Sequence, residues 1–321
     1  MKWFVRIAIG LAVILGIAFL LLRTPDTDRD AMRAKYGDAP SQFVTLPDGQ
    51  SIHLRDEGPP DAPAIILLHG SNADLHTWHP WVAALSRDYR IIRYDQIGHG
   101  LTGPSNDEKY ALPDFVEDVD QVADYLGIDS FVLGGNSMGG WVAAGYALSH
   151  PNRLDGLVLI DASGAPIRRP EGEGGNLGFT IAAIPGVNRL MEHITPRSLV
   201  ERSLRQSVSN QAIVTPEAID RYWELLRYPG NRAATIARFN TPRQTYIQDE
   251  IAALNVPTLI IWGAQDALIP VEAARWYDAH LINSDLIVLD GIGHLPMEEA
   301  ADETAATLDA WLRKLPSPHD E

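Results

Sequence analysis

Short apolar runs alternate with helical patterns along most of this 321-residue chain. The run at residues 64–68 is apolar at every position, which is typical of a strand buried on both faces. Similar runs follow at residues 89–94, 131–134, 157–160, 258–262 and 285–289. Helical patterns lie between and after them, at residues 78–85, 114–126, 138–149, 271–280 and 297–315. This alternation predicts an α/β fold with a mostly parallel sheet that is covered by helices on both faces.

Two further segments complete the predicted layout of the body. A hairpin signal at residues 47–50 lies between apolar stretches that precede the first buried run. Residues 165–246 break the alternation with a glycine-rich loop at 168–178, followed by helical patterns at 196–208, 215–227 and 231–246. We therefore expect a core of residues 43–164 and 247–315, with residues 165–246 as a helical lid. An insertion at this point would overhang the edge of the sheet where open α/β sheets bind ligands.

The N-terminal segment has a different character from the body. Residues 7–22 carry no charge and follow Lys2 and Arg6. As a helix they span about 24 Å, and residues 3–5 bring this close to the ~30 Å of a bilayer core. No small-residue cleavage site follows closely, so residues 1–22 are expected to be a retained membrane anchor, with a cleaved signal peptide and a peripheral helix as the alternatives. Residues 23–42 are then expected to be a tether, with the catalytic body periplasmic or extracellular.

Charge and cysteine content exclude several classes of function. The formal net charge of −16 supplies no basic surface for a nucleic acid. The absence of cysteine excludes disulfides, thiolate metal sites and a cysteine nucleophile. Neither feature indicates the oligomeric state, which the sequence leaves open.

A serine stands at a predicted strand–turn–helix junction. Ser137 follows the apolar run at 131–134 and lies between Gly135 and Gly139. Small residues two before and two after it allow the strand and helix to approach closely, and the turn then pushes the hydroxyl out above the sheet. This arrangement is typical of a catalytic nucleophile.

Two later strand ends carry the residue types that such a nucleophile needs. Asp266 follows the run at 258–262, and His294 follows the run at 285–289. The carboxyl ends of parallel strands meet at one edge, so Ser137, Asp266 and His294 are predicted to form a catalytic triad. Asp161 follows the run at 157–160 and is an alternative acid, less favoured than Asp266.

The remaining candidate site residues lie near these strand ends. The backbone N–H groups of Ser71, after the run at 64–68, and of Met138 are the expected donors of an oxyanion hole. Trp78 and Trp141 lie near the predicted junction and are candidate substrate contacts.

Together these motifs resemble the α/β-hydrolase superfamily, over roughly residues 41–315. The resemblance is carried by the motifs at residues 69–70, 95–100, 135–140, 263–266 and 291–294. It implies an eight-stranded sheet with a helical lid after the sixth strand, and serine hydrolysis through an acyl-enzyme without a cofactor. Haloalkane dehalogenases and epoxide hydrolases of this superfamily carry aspartate at the position of Ser137, so the serine argues against both.

We expect a carboxylic-ester hydrolase with a small-molecule ester or lipid-like substrate. The alternative within the superfamily is a carbon–carbon bond hydrolase that uses the same triad on a diketone-type compound. A peptidase would need an acidic pair for a substrate ammonium group, for which Glu171 and Glu173 are candidates. A different class of function is also possible for this fold, namely a non-catalytic, membrane-tethered binding module.

Overall fold

Eight strands form a single sheet in the order β1-β2-β4-β3-β5-β6-β7-β8. They are β1 (Gln42–Thr45), β2 (Ser51–Glu57), β3 (Ala64–Leu68), β4 (Arg90–Tyr94), β5 (Phe131–Asn136), β6 (Leu154–Ile160), β7 (Thr258–Gly263) and β8 (Ser284–Leu289). This computed structural model describes residues 2–167, 176–182, 184 and 186–316. Strand β2 pairs antiparallel with β1 and β4, and all other neighbours are parallel. The predicted mostly parallel sheet is confirmed.

Helices cover both faces of the sheet. The core helices are α3 (His79–Leu85), α4 (Leu112–Tyr125), α5 (Met138–Ser149), α12 (Glu272–His280), α13 (Pro296–Glu299) and α14 (Ala301–Leu312). Side chains of α4, α5 and α12 pack on one face with Ile66 of β3. Side chains of α3 and α14 pack on the other face with Ile65, because successive strand residues point to opposite sides. Strands β3, β5 and β7 are consequently buried along their whole length.

In the described part of the segment between β6 and β7 there are six α-helices. They are α6 (Leu177–Ala182), α7 (Val187–Met191), α8 (Arg197–Ser207), α9 (Pro216–Leu226), α10 (Asn231–Asn240) and α11 (Gln248–Ala252). Helix α9 begins as its sequence predicts, with the Thr215 hydroxyl accepting the N–H of Ala218 at 3.2 Å. Helix α10 ends at Asn240 rather than at 246, because a residue before proline, here Thr241 before Pro242, disfavours helical backbone. The predicted loop at 168–178, with Glu171 and Glu173, lies for the most part outside the described residues.

The segment expected to be a tether is partly helical and is bound to the body. Helix α2 (Arg29–Tyr36) begins at Asp28, whose carboxylate accepts the N–H of Ala31 at 2.8 Å. Met32 of this helix is buried against Leu101 and Tyr228. Composition alone suggested a loose linker because charged side chains outnumber apolar ones in this stretch, yet one buried methionine and a good cap are enough to dock a short helix.

The N-terminal helix α1 (Lys2–Leu22) stands away from the body. Among the residues that the structure describes, its stretch Trp3–Leu22 is the one helix long and apolar enough to cross a membrane, with a mean hydropathy of 2.7. That stretch is mostly exposed, and its Phe19 ring contacts His193 of the insertion with 5.9 Å between ring centroids. A mostly exposed apolar helix fits an anchor or a signal segment.

Candidate active site

Ser137 occupies a strained turn between β5 and α5. Its backbone has φ +55° and ψ −114°, a conformation that residues other than glycine rarely adopt. A Cβ on Gly135 would lie 2.2 Å from the carbonyl oxygen of Gly139, and a Cβ on Gly139 would lie 2.2 Å from that of Leu68. Only glycine fits at both positions, so the close approach predicted for this turn is present. The Ser137 side chain is presented at the carboxyl edge of the sheet.

An imidazole and a carboxylate meet at the same edge. His294 follows β8 and Asp266 follows β7, and His294 Nδ1 lies 2.7 Å from Asp266 Oδ2. Asp266 Oδ1 accepts the N–H groups of Leu268 at 2.6 Å and Ile269 at 3.0 Å. Burial alone would raise the pKa of Asp266, but the His294 imidazole holds it below its ordinary value. The carboxylate is therefore ionised, and it fixes the imidazole with Nδ1 protonated and Nε2 free.

Ser137 and His294 line one cavity, which we call the active-site cavity. Its volume is about 100 Å³ and its walls are mostly apolar. The insertion supplies much of the wall, through Gly178, Thr195, Leu199, Val200, Ser203, Leu204, Ser207, Tyr222, Leu226, Arg232, Thr235 and Ile236. Within the described residues, Ser137 Oγ makes no hydrogen bond, and such contacts are often loose until a substrate is bound.

The His294 loop is held from two directions. Asn136 Nδ2, one residue before the serine, donates to the carbonyl oxygens of Ile160 at 3.2 Å and of His294 at 3.1 Å. The N–H of His294 donates to the carbonyl of Ser207 at the end of α8. The nucleophile turn and the insertion thus both set the position of the imidazole.

Glu299 is a site residue that sequence reasoning missed. Its buried carboxylate accepts the N–H groups of Gly293 and Leu295, which flank the histidine. It also accepts those of Ser209 and Asn210, both at 2.8 Å, from the insertion. Four converging amides make this one side chain the junction between the His294 loop and the helices above it. An acid five residues after the histidine is the only local signal for it.

The predicted oxyanion donors lie next to the serine turn. A Cβ on Gly70 would lie 3.1 Å from the Ser137 Cβ, so the loop that carries Ser71 packs directly against the nucleophile. Among the described residues, no acceptor binds the backbone N–H of Ser71 or of Met138. Met138 is the first residue of α5, where helical N–H groups lack intrahelical partners. Both donors are therefore free to bind a developing negative charge.

A buried arginine stands behind this loop and was also missed. Arg238 of α10 donates to Ser71 Oγ at 2.8 Å, to Asn72 Oδ1 at 2.9 Å and to Thr235 Oγ1 at 3.0 Å. Burial, and next the charge of Arg243, lower the pKa of Arg238 to about 9, so it remains a cation at neutral pH. Its acceptors are neutral, and it clamps both residues of the loop. In the sequence it looks like any arginine on an exposed helix.

Asp161, the alternative acid, lies beside the favoured one. It is fully buried with φ +42°, and its Oδ1 accepts the N–H of Gly263 at 3.1 Å. Burial, followed by the charge of Asp266, raises the pKa of Asp161 well above its ordinary value. One ligand atom each of Asp161, Asp266 and His294 lies within 4.8 Å of the others. The 2.7 Å contact inside this group is the hydrogen bond between His294 and Asp266.

The two tryptophans proposed as substrate contacts lie in the core instead. Trp78 is fully buried, with its ring centroid 5.2 Å from that of Trp81. Trp141 is 4% exposed, and its indole N–H donates to the carbonyl of Gln244. Neither is part of the lining of the active-site cavity. Their expected position near the serine turn was the reason to propose substrate contact, but here both side chains fill the space between helices and sheet.

Comparison with known proteins agrees with this geometry. The α/β-hydrolase fold family matches residues 63–301. The 2-hydroxy-6-oxo-2,4-heptadienoate hydrolase of Pseudomonas putida is 26% identical over 260 residues, which cover 78% of this chain and 88% of the relative. The pimeloyl-(acyl-carrier protein) methyl ester esterase of Aeromonas hydrophila is 28% identical, over 73% of this chain and 89% of the relative. The crystal structure of a membrane phospholipase A, described as a bacterial virulence factor, has the same fold at a TM-score of 0.74 and 24% identity, and the match covers 98% of each chain.

Proposed function

Because this chain belongs to the α/β-hydrolase family, we propose that it is a serine hydrolase that cleaves a carboxylic ester through an acyl-enzyme. One observation carries the proposal. His294 is bonded through Nδ1 to Asp266, and it shares the active-site cavity with Ser137 on its strained turn. A base with a free Nε2 that shares a cavity with a serine hydroxyl is what nucleophilic catalysis requires.

In the proposed mechanism, Ser137 Oγ attacks the acyl carbon of the ester while His294 Nε2 takes the hydroxyl proton. The negative charge moves to the former carbonyl oxygen, where the N–H groups of Ser71 and Met138 bind it. The C–O bond to the alcohol then breaks, and His294 returns the proton to the leaving oxygen. A water molecule, activated by His294, hydrolyses the acyl-enzyme. Asp266 keeps the imidazole in the productive tautomer and stabilises its cation.

The insertion acts in this proposal as a lid of residues 165–246. Support comes from the lining of the cavity, where α8, α9 and α10 contribute apolar side chains such as Leu199, Leu204 and Ile236. A mostly apolar cavity suits an acyl chain better than a charged acid. We assign the substrate to esters with a lipid-like acyl group, a class that the name of the membrane phospholipase A with the same fold also suggests.

The apolar helix α1 acts in this proposal as a membrane anchor. Its stretch Trp3–Leu22 is mostly exposed, and such a surface is unfavourable in water. Lys2 and Arg6 favour a cytoplasmic N-terminus, which would place the body on the periplasmic or extracellular side. A lipophilic substrate would then be available close to the enzyme.

Carbon–carbon bond hydrolysis is the second candidate. The similarity to a 2-hydroxy-6-oxo-2,4-heptadienoate hydrolase favours this candidate. The same serine, histidine and aspartate could cleave a diketone-type compound. A site built for such a substrate would prefer it strongly over simple esters.

Initial rates on nitrophenyl esters of graded chain length test the proposal, with the full chain in detergent. We expect Ser137→Ala to lower kcat/KM by at least ~10³-fold, because the nucleophile is lost. Ser149→Ala, at the far end of α5, is the matched control and should stay near the parent rate. Near-normal turnover by Ser137→Ala would overturn the assignment. Turnover of a diketone with little on any ester would favour the second candidate.

A further inference from the structure

We infer that Asp161 is a positioning residue, a protonated carboxylic acid that donates a hydrogen bond to the Asp266 carboxylate and so orients the base His294. The inference rests on the proposed function, in which Asp266 is the acid of the triad. It assigns a role to a buried acid that the mechanism above does not use.

The backbone holds Asp161 against Asp266 from two sides. The N–H of Asp161 donates to the carbonyl of Ile261 at 3.1 Å, and its Oδ1 accepts the N–H of Gly263 at 3.1 Å. Both partners belong to β7, the strand that leads into Asp266. The carboxyl group is thereby pinned to the neighbouring strand, with one of its oxygens within 4.8 Å of a carboxylate oxygen of Asp266.

The second oxygen of Asp161 has no other partner. Asp161 Oδ2 is buried, and among the described residues no donor binds it. It faces a group in which ligand atoms of Asp161, Asp266 and His294 lie within 4.8 Å of one another. A buried oxygen beside a carboxylate, without a donor, is satisfied if it carries a proton itself.

The charges around the pair decide which of the two acids is protonated. Asp266 and Glu299 are the acids that act on Asp161, and both favour its neutral form. Asp266 has the imidazole of His294 and the amides of Leu268 and Ile269 to stabilise its negative charge. Two carboxyl groups in one dry space cannot both ionise at low cost, so the proton resides on Asp161.

The proposed hydrogen bond has two consequences for catalysis. It fixes the plane of the Asp266 carboxylate, whose Oδ2 must point at His294 Nδ1. It also draws negative charge from Asp266 and so weakens the attraction between Asp266 and the imidazolium of His294. Both effects act through Asp266, without contact between Asp161 and the substrate.

Four variants of the full chain in detergent test this role. Asp161→Asn keeps an acceptor for Gly263 and a neutral donor for Asp266, whereas Asp161→Ala loses both. Asp266→Asn removes the triad acid. Asp155→Asn is the matched control, because it makes the same change at the other end of β6, where the carboxylate accepts only from Ser130 Oγ. The readouts are kcat/KM for a nitrophenyl ester against pH, and the titration midpoint of the His294 imidazole by NMR.

We expect Asp161→Asn to retain activity within about threefold, with the acid limb of its pH profile in place. Asp161→Ala should lose between about 10-fold and 100-fold, and its acid limb should move up by about one pH unit. Asp266→Asn should lose about 10⁴-fold. A purely structural role would not produce this combination, in which Asp161→Asn retains activity and Asp161→Ala shifts the acid limb of the pH profile.

Three results would overturn the inference. A loss in Asp161→Asn as large as that in Asp266→Asn would make Asp161 the triad acid. An acid limb that moves down in Asp161→Asn would mean that Asp161 is ionised. Asp161→Ala behaving like Asp155→Asn would make it a bystander.

The NMR titration separates this inference from the proposed function. It is run in a Ser137→Ala background and needs no ester. If no form of the protein turned over an ester, the proposed function would fail, while the imidazole midpoint would still decide whether Asp161 donates to Asp266. If Asp161→Ala destabilised the fold, the midpoint in Asp161→Asn would decide it alone, since an unchanged midpoint supports a neutral donor and a lowered one contradicts it.

Discussion

Single buried groups carry much of the electrostatic character of this protein. Arg238 is enclosed among neutral acceptors behind the Ser71 loop and stays charged, because a guanidinium gives up its proton only at high pH. Asp161 and Asp118 instead bind a proton and become neutral, because burial away from water raises the pKa of a carboxyl group. The chemistry of each side chain decides whether burial changes its charge.

Asp118 permits a test of this logic away from the candidate site. It lies on the core face of α4, and burial, with smaller contributions from Asp48, Asp114 and Glu117, raises its pKa well above its ordinary value. The folded protein then binds a proton that the unfolded chain has already released above pH 4. Stability is therefore lost as pH rises from about 4, at up to ~1.4 kcal/mol per pH unit for this group.

We predict that Asp118→Asn removes this dependence. Its free energy of unfolding relative to the parent should rise steadily between pH 4 and pH 8 in urea titrations. Asp129→Asn, at an exposed carboxyl, is the control and should track the parent. A constant difference between Asp118→Asn and the parent across this range would contradict the prediction.

At the scale of elements, the carboxyl edge of the sheet brings the site together. Residues that follow β5, β6, β7 and β8 meet there because parallel strands end on the same side. The loops alone do not fix the geometry. Glu299 at the end of α13 binds amides of both the His294 loop and the insertion, so these two elements share one anchor.

Replacing that anchor should disturb both elements at once. In Glu299→Gln, one carboxylate oxygen becomes an NH₂ group, which cannot accept a hydrogen bond. The backbone N–H groups that this oxygen binds would then face a second donor. We expect a loss of roughly 1.5–3 kcal/mol in unfolding free energy, together with a lower kcat. The measurements are urea denaturation and ester turnover. Glu303→Gln, on the exposed side of α14, is the matched control, and equal behaviour of the two variants would rule out the anchoring role.

At the scale of the whole molecule, the exit of α1 is bound to the insertion. The N–H of Thr24 donates to the carbonyl of His193 at 2.7 Å, and Arg232 donates to Thr24 at 2.8 Å and to Asp26 at 2.6 Å. Arg232 and Thr195 also line the active-site cavity. The residues that follow the apolar helix are therefore bound to the body beside the cavity wall and do not form a free linker.

If α1 is a retained anchor, its charge content should decide where the protein is found. We predict that the full chain sediments with membranes and is released by detergent but not by alkaline carbonate. Leu11→Arg combined with Ile14→Arg should move it to the soluble fraction, because each charge costs ~2.5–3.5 kcal/mol near the bilayer centre. Alanine at both positions is the control. A shorter mature chain by intact mass would instead identify a cleaved signal.

Local patterns were sufficient for the sheet and for the candidate catalytic residues. Period and length identified the buried strands, and the glycines around Ser137 marked a turn that only small neighbours allow. Asp266 and His294 could be placed near Ser137 because each directly follows a strand, and parallel strands bring such positions to one edge. Nothing about these inferences required knowledge of distant contacts.

What only the tertiary structure decided depends on partners far apart in the chain. Arg238 and Ser71 are 167 residues apart, and no local pattern marks either as the other's partner. Trp78 and Trp141 are of a residue type that often lines pockets, yet packing buries both side chains in the core. Asp161 and Asp266 both follow strands, and only their placement beside one imidazole shows which one binds it. Sequence periodicity determines which elements form, whereas the pairing of buried polar groups is determined by how those elements pack.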